Sequence, residues 1–214
     1  MKRITRRSVL GGVATGLAST AGCLGVLTGD EPLEYESDPA TVPSAVLDST
    51  GYELANEEAP TVSREFTVAG QTREVKVTNH VVSYEKAVDM GPLGSLRAAM
   101  FSAFTTPQIQ IAGKTLSPIG EMSNRDLLRT IASRYEGLSV GEKVGSQSVS
   151  TLDQTVTVER YEGTITVQDQ EVPIYLLFSR FQHGDDYVVP VGGYPQQRTA
   201  EESNIYTLIE RLEH

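Results

Sequence analysis

Apolar residues recur along this chain with two periods. Toward the C-terminus, Ile205, Leu208, Ile209 and Leu212 fall at helical spacing. Thr199 followed by Glu202 reads as a capping box that opens the same helix. A second helix is predicted from Ser123, capped with Asp126, through Leu127, Leu128, Ile131, Ala132 and Tyr135 on one face, with Gly137 as its stop. A short third helix is predicted over 43–49, with Pro43 in its first turn and Gly51 beyond its end.

Elsewhere the pattern is that of strands. Segments 62–68 and 73–84 flank Ala69-Gly70-Gln71-Thr72, a hairpin signal. Segments 155–167, 172–182 and 187–194 read as a meander, turning near Asp169 and near Gly184-Asp185. The first of these changes phase. Val156 and Val158 share one face, whereas Tyr161, Ile165 and Val167 have the other parity, and a bulge near Glu159-Arg160 would reconcile them. Residues 174–178 are a continuous apolar run, as in a strand buried on both faces. That run predicts an α+β domain, a largely antiparallel sheet flanked by helices, with this strand near its centre. Residues 93–104 fit either a helix, through Leu93, Leu96, Met100 and Ala103, or a strand, through Ala99, Phe101 and Ala103. Pro107 and Pro118 bracket a loop-like segment that holds Ile109 and Ile111.

The first 23 residues behave differently. A basic head with Lys2, Arg3, Arg6 and Arg7 precedes a soft, uncharged apolar run over 9–22. The run is shorter than the roughly 20 residues a membrane span takes, so it reads as a signal peptide. Thr5-Arg6-Arg7-Ser8-Val9-Leu10 resembles the twin-arginine export motif, read by its export machinery, and Ala21-Gly22-Cys23 resembles the end of a lipobox, in which the cysteine sulfur takes a lipid. Cys23 is the only cysteine, so it forms no intramolecular disulfide, and its position accounts for it. The expected organisation is a signal peptide over 1–22, a lipidated Cys23 with a flexible tether over 23–40, and one α+β domain over 41–214. The expected location is the outer face of the cell membrane, with the lipid as the contact to the bilayer.

Charge narrows the partners. The formal net charge is −10, and all 28 acids lie beyond the first 23 residues, against 14 remaining bases. An acidic surface argues against nucleic acid, whose phosphates attract bases. Only Lys76, Lys86, Lys114 and Lys143 remain as lysines after the signal. An acidic, lysine-poor chain suits molar salt, where the Debye length is about 3 Å and like charges are screened. An ordinary acidic protein has the same composition.

Arg64-Glu65-Phe66 through Thr78-Asn79, Met90-Gly91-Pro92-Leu93-Gly94, Thr106-Pro107 through Ser117-Pro118, Val191 through Tyr194-Pro195, and Ile209 through His214 carry a family likeness. With the signal, they make the chain similar to haloarchaeal lipoproteins known only as a domain of unknown function. The resemblance implies export and a lipid anchor, and it supplies no activity. The order of elements also resembles the PsbP-like fold, which implies an α/β/α sandwich.

Candidate chemistry is sparse. No G-x-S-x-G, P-loop, H-E-x-x-H or C-x-x-C motif occurs. His80, His183 and His214 lack metal-ligand spacing. Asp153, Asp169, Asp185 and Asp186 read as solvated turn residues. Tyr161, Tyr175, Tyr187 and Tyr194 fall on neighbouring strands near Arg160 and Arg180, which reads as a core edge with wet hydroxyls or as a binding surface. The stretch 193–197 is the loop in which a cleft is expected. No catalytic residue, metal site or cofactor is expected. The chain reads as a non-catalytic binding module with an unidentified surface protein or small ligand as partner. An enzyme whose site is assembled from scattered residues and an abundant envelope component stay open beside it.

Overall fold

The computed structural model describes residues 32–214 except 69–70, 90, 92–94, 112–113, 116 and 168. The first half runs β1 (Leu33–Glu36), α1 (Ser44–Thr50), β2 (Glu53–Glu58), β3 (Thr61–Val68), β4 (Gln71–Thr78), β5 (His80–Asp89) and β6 (Ser95–Pro107). A small hairpin follows, β7 (Gln110–Ile111) and β8 (Lys114–Thr115), then α2 (Asn124–Ala132). The second half is β9 (Leu138–Thr151), β10 (Gln154–Val167), β11 (Gln170–Phe178), β12 (Phe181–His183), β13 (Asp186–Pro195) and α3 (Ala200–Glu210).

The main sheet has the order β2-β5-β6-β13-β11-β10-β9, with β12 beside β13, and each neighbouring pair is antiparallel. A smaller sheet, β1-β4-β3, pairs β1 with β4 in parallel and β3 with β4 antiparallel. The expected α+β class, a largely antiparallel sheet with helices on both sides, is what the chain adopts.

Both faces are covered because successive side chains point opposite ways. On one face, Leu128, Ile131 and Ala132 of α2 meet Met100, Ser102, Leu176, Val191 and Gly193. On the other, Ile205 of α3 lies so close to Gly192 that a Cβ there would sit 2.4 Å from its Cγ2. Gly192-Gly193 therefore serves helix packing, one glycine toward each layer. The strand β11 lies between β13 and β10, and Ile174, Leu176, Leu177 and Phe178 are buried, as the apolar run required.

Local signals explain most helix ends. In α1, Pro43 stands at the N-cap, and Gly51 closes the C-terminus with φ 76°, donating to the Leu47 carbonyl at 2.8 Å. In α2, the Ser123 hydroxyl accepts the Asp126 amide at 3.1 Å. The capping box expected at Thr199 does not form, because Thr199 is itself helical and gives no side-chain cap. Glu202 turns instead to Arg160, at 2.9 Å.

Several strand expectations are corrected. Segment 73–84 is two strands, since the Asn79 amide turns to the Pro60 carbonyl at 3.0 Å and β5 leaves for the main sheet. Residues 95–107 are strand, with Ala99, Phe101 and Ala103 fully buried on one face. Segment 172–182 breaks between β11 and β12. There Ser179 donates to Pro190 at 3.1 Å, and proline has no N–H to return. The phase change in β10 needs no bulge of its own, because its register with β11 is unbroken. Val158 shares the face of Arg160, toward α3, and Tyr161 shares that of Leu176, toward α2; the irregularity lies in the pairing with β9. Residues 33–40, expected in the tether, belong to the folded unit: β1 pairs with β4, and Ser37 and Ala40 are buried.

Candidate functional site

The hairpin of β3 and β4 presents Val62, Arg64 and Phe66 on the same face as Val75 and Val77, since Val62 pairs with Val77 and Arg64 with Val75. That face lies over the end of β6. Phe104 and Thr106 have the parity of Met100 and Ser102, so they point to the α2 side of the sheet, past the reach of α2 itself. The small sheet covers them incompletely. A cleft of about 160 Å³ remains, lined by Val62, Arg64, Phe66, Val77, Asn79, Phe104, Thr106, Ile109, Ser117 and Ile119.

Polar ties hold its walls. The Ser117 hydroxyl donates to the Pro107 carbonyl at 2.8 Å and accepts from the Ile109 amide at 3.3 Å. The Arg180 guanidinium donates to the carbonyls of Ile119 and Met122, fixing the turn that carries Ile119. Two polar groups of the lining are not used in this way. Among the described residues no carboxylate pairs with Arg64, and the Thr106 hydroxyl, on a residue only 6% exposed, makes no hydrogen bond. Sequence reasoning missed both. The alternation Val62-Ser63-Arg64-Glu65-Phe66, an arginine between two apolar residues on one strand face, is the signal that marks the site.

On the opposite face of the same sheet end lies a closed polar cluster. His214 Nδ1 is 2.8 Å from His183 Nδ1, with the rings edge to face. His214 Nε2 is 3.2 Å from Asp186 Oδ2, an ion-pair distance but off the line of a hydrogen bond. The Asp38 amide donates to the same carboxylate at 2.9 Å. Burial pushes the Asp186 carboxyl above its ordinary value, against the Asp38 amide and His214, which pull it down. Asp186 is thus a buried residue, which corrects its reading as solvated, and the pattern could not reveal that His214 returns to it after α3. His80 holds Glu36 at 3.2 Å, while Asp153 and Asp169 are turn residues with φ of 58° and 62°. Among the described residues no group of three histidines, cysteines or acids is placed to hold a metal.

The tyrosines separate by role. Arg160 lies over Tyr175 at 5.0 Å and pairs with Glu202; Tyr194 is buried beside Tyr175, and burial and Glu202 hold its phenol well above its ordinary value. Tyr161 donates to Glu159 at 2.6 Å, and Tyr187 accepts from Gln182 at 3.1 Å. Tyr175 and Tyr194 thus form a core edge. The stretch 193–197 is no cleft: Gly193, Tyr194 and Pro195 end β13, and Gln196 donates to the Pro173 and Ile174 carbonyls at 3.0 and 3.2 Å. Arg6, Arg7 and Cys23 lie outside the described residues.

A family model described as Domain of unknown function (DUF6517) matches residues 39–213, and the chain belongs to that family. No curated protein matches it. Among solved structures it is similar to the solution structure of cyanobacterial PsbP (CyanoP) from Synechocystis sp. PCC 6803. The identity is 12% and the TM-score 0.38, over 82% of this chain and 91% of that one.

Proposed function

For this member of the DUF6517 family, we propose a non-catalytic binding module, exported through Arg6-Arg7 and tethered by a lipid on Cys23 to the outer face of the cell membrane. The observation that carries the binding role is the cleft between the small sheet and β6. Its walls are mostly apolar, and it offers a guanidinium with no carboxylate partner and a hydroxyl with no hydrogen bond among the described residues. Such a mixture, a greasy lining with a few placed polar groups, is the ordinary make-up of a small-ligand site. The export and anchor readings rest on the sequence before residue 24.

Asp186, His214 and His183 favour the second reading, an enzyme assembled from scattered residues, because they bring an acid and two bases together. Their burial favours a structural role. The His214 side chain is 5% exposed and that of Asp186 9%, so a substrate atom meets them only if the sheet end opens.

The anchor is tested by expressing the native chain and Cys23→Ser in a twin-arginine-competent host, fractionating, and measuring the mature N-terminal mass. Membrane retention with a lipid-sized mass, lost in the variant, is expected. Soluble, unmodified protein from both overturns the tether. The binding role is tested separately, by whether small apolar ligands perturb amides of the cleft.

A further inference from the structure

Resting on the binding role just described, we propose that the cleft selects a small monocarboxylate with an apolar body. The body lies against Phe66, Phe104, Ile109 and Ile119, and the carboxylate meets Arg64 and Thr106.

Volume sets the size of the ligand. About 160 Å³ is close to the cavity of about 150 Å³ that accommodates benzene. A ring or a short branched chain fills it. The lining sets the body, since six of its ten residues are Val62, Phe66, Val77, Phe104, Ile109 and Ile119.

Charge sets the headgroup. Arg64 is an exposed residue at the rim of the cleft, so its guanidinium is open to a ligand. It has no carboxylate partner among the described residues, and its neighbour Glu65 points to the other face of the strand. A guanidinium binds a carboxylate through two parallel N–H···O bonds, a geometry no neutral group reproduces. The Thr106 hydroxyl is the independent second observation. It lines the same cleft, on a residue only 6% exposed, and among the described residues it has no hydrogen-bond partner. A carboxylate oxygen would accept from it. A neutral apolar ligand gains nothing from the guanidinium's charge, and a dicarboxylate drives its second charge against the apolar wall.

The test uses the full-length chain labelled with 15N, titrated with benzoate and with its neutral analogue benzamide. Amide shifts are followed at Phe66, Thr106 and Ile109 in the native protein and in Arg64→Gln, Thr106→Val and Arg64→Lys. Benzoate is expected to saturate these shifts and to bind about tenfold tighter than benzamide. Arg64→Gln should erase that preference. Thr106→Val should weaken benzoate about threefold. Arg64→Lys keeps the charge without the fork, so it should retain a preference over benzamide at reduced affinity, even if the glutamine variant disturbs the hairpin. Equal binding of benzoate and benzamide, unchanged by Arg64→Gln, overturns the anion selection and leaves the binding role standing. Absence of saturable shifts with either ligand, or shifts confined to another part of the protein, overturns the cleft as a site altogether.

Discussion

One strand, β6, shows two kinds of packing on its two faces. On the side of α3, Ala99, Phe101 and Ala103 are fully buried, and Tyr84 stacks on Phe101 at 6.1 Å. The helix there approaches close enough to touch the backbone at Gly192. On the other side, the strand passes from Met100 and Ser102 beneath α2 to Phe104 and Thr106 beneath the small sheet, and there the packing opens. The chain leaving β1 is tied to the opposite, α3 side of the strand: Ser37 to Thr105 at 3.1 Å, and Thr105 to the Asp38 carbonyl at 2.7 Å. Interdigitated side chains exclude space, and where the small sheet falls short of Phe104 and Thr106 the interval stays unfilled. The closed face holds the fold, and the open face is free to hold something else.

The comparison breaks most easily at two phenylalanines. Phe101→Ala removes a fully buried ring and should cost about 3–5 kcal/mol. Phe66→Ala removes a half-buried ring from the cleft wall and should cost about 1 kcal/mol or less. Urea midpoints at constant slope measure both. Similar losses would mean that the small sheet is as much a part of the core as the helix layer.

Gly192 sharpens the closed side. An alanine there places its Cβ inside Ile205, so Gly192→Ala should cost about 1–3 kcal/mol by lifting α3. The double variant with Ile205→Ala should cost less than the sum of the two, since each change relieves the other. Strict additivity in that cycle would show that the helix does not rest on this glycine. A smaller effect is expected at the polar end of the same face. His214→Ala deprives the buried Asp186 of its imidazole and should lower stability by about 1–2 kcal/mol, read from thermal or urea unfolding. No change would mean that the Asp38 amide alone satisfies the carboxylate.

What was legible in the sequence follows the same division. The α3 periodicity, the Ser123 cap, the Pro43 and Gly51 helix ends and the run 174–178 all record local preference or burial against the core, which individual residues carry. Missing were β2 and β9. Every residue of β2 is exposed, and Leu138–Thr151 alternates weakly, so both are strands because a neighbour offers a hydrogen-bonding edge. Asn79 divides a run that looks continuous, because the two halves pair in different sheets. The cleft was equally hidden. Arg64 and Thr106 lie 42 positions apart, and nothing local announces that the small sheet falls short of filling the gap above β6. The cleft expected at 193–197 came from reading the stretch as a loop, but residues 193–195 complete a central strand and 196–197 are the turn that follows it.

The finest test concerns pH at the α2 edge. Glu159 accepts from Lys143 at 2.5 Å, from Tyr161 at 2.6 Å and from Asn124 at 3.1 Å, so it ties β9 and β10 to the first turn of α2. Burial opposes its charge, but these three donors and the ammonium outweigh burial and hold the carboxyl below its ordinary value. The folded state therefore binds this proton less readily than the unfolded chain. Its contribution to stability is complete above the unfolded carboxyl's pKa and is lost as pH falls through the lower, folded one. Glu159→Gln removes that linkage. At neutral pH the variant should be less stable by about 1 kcal/mol. On acidification the native protein should lose stability more steeply, until the two curves meet below the folded pKa. Urea midpoints measured from pH 7 downward resolve the convergence. Curves that stay parallel would show that Glu159 binds its partners equally in either protonation state, and that α2 is held by its apolar face alone.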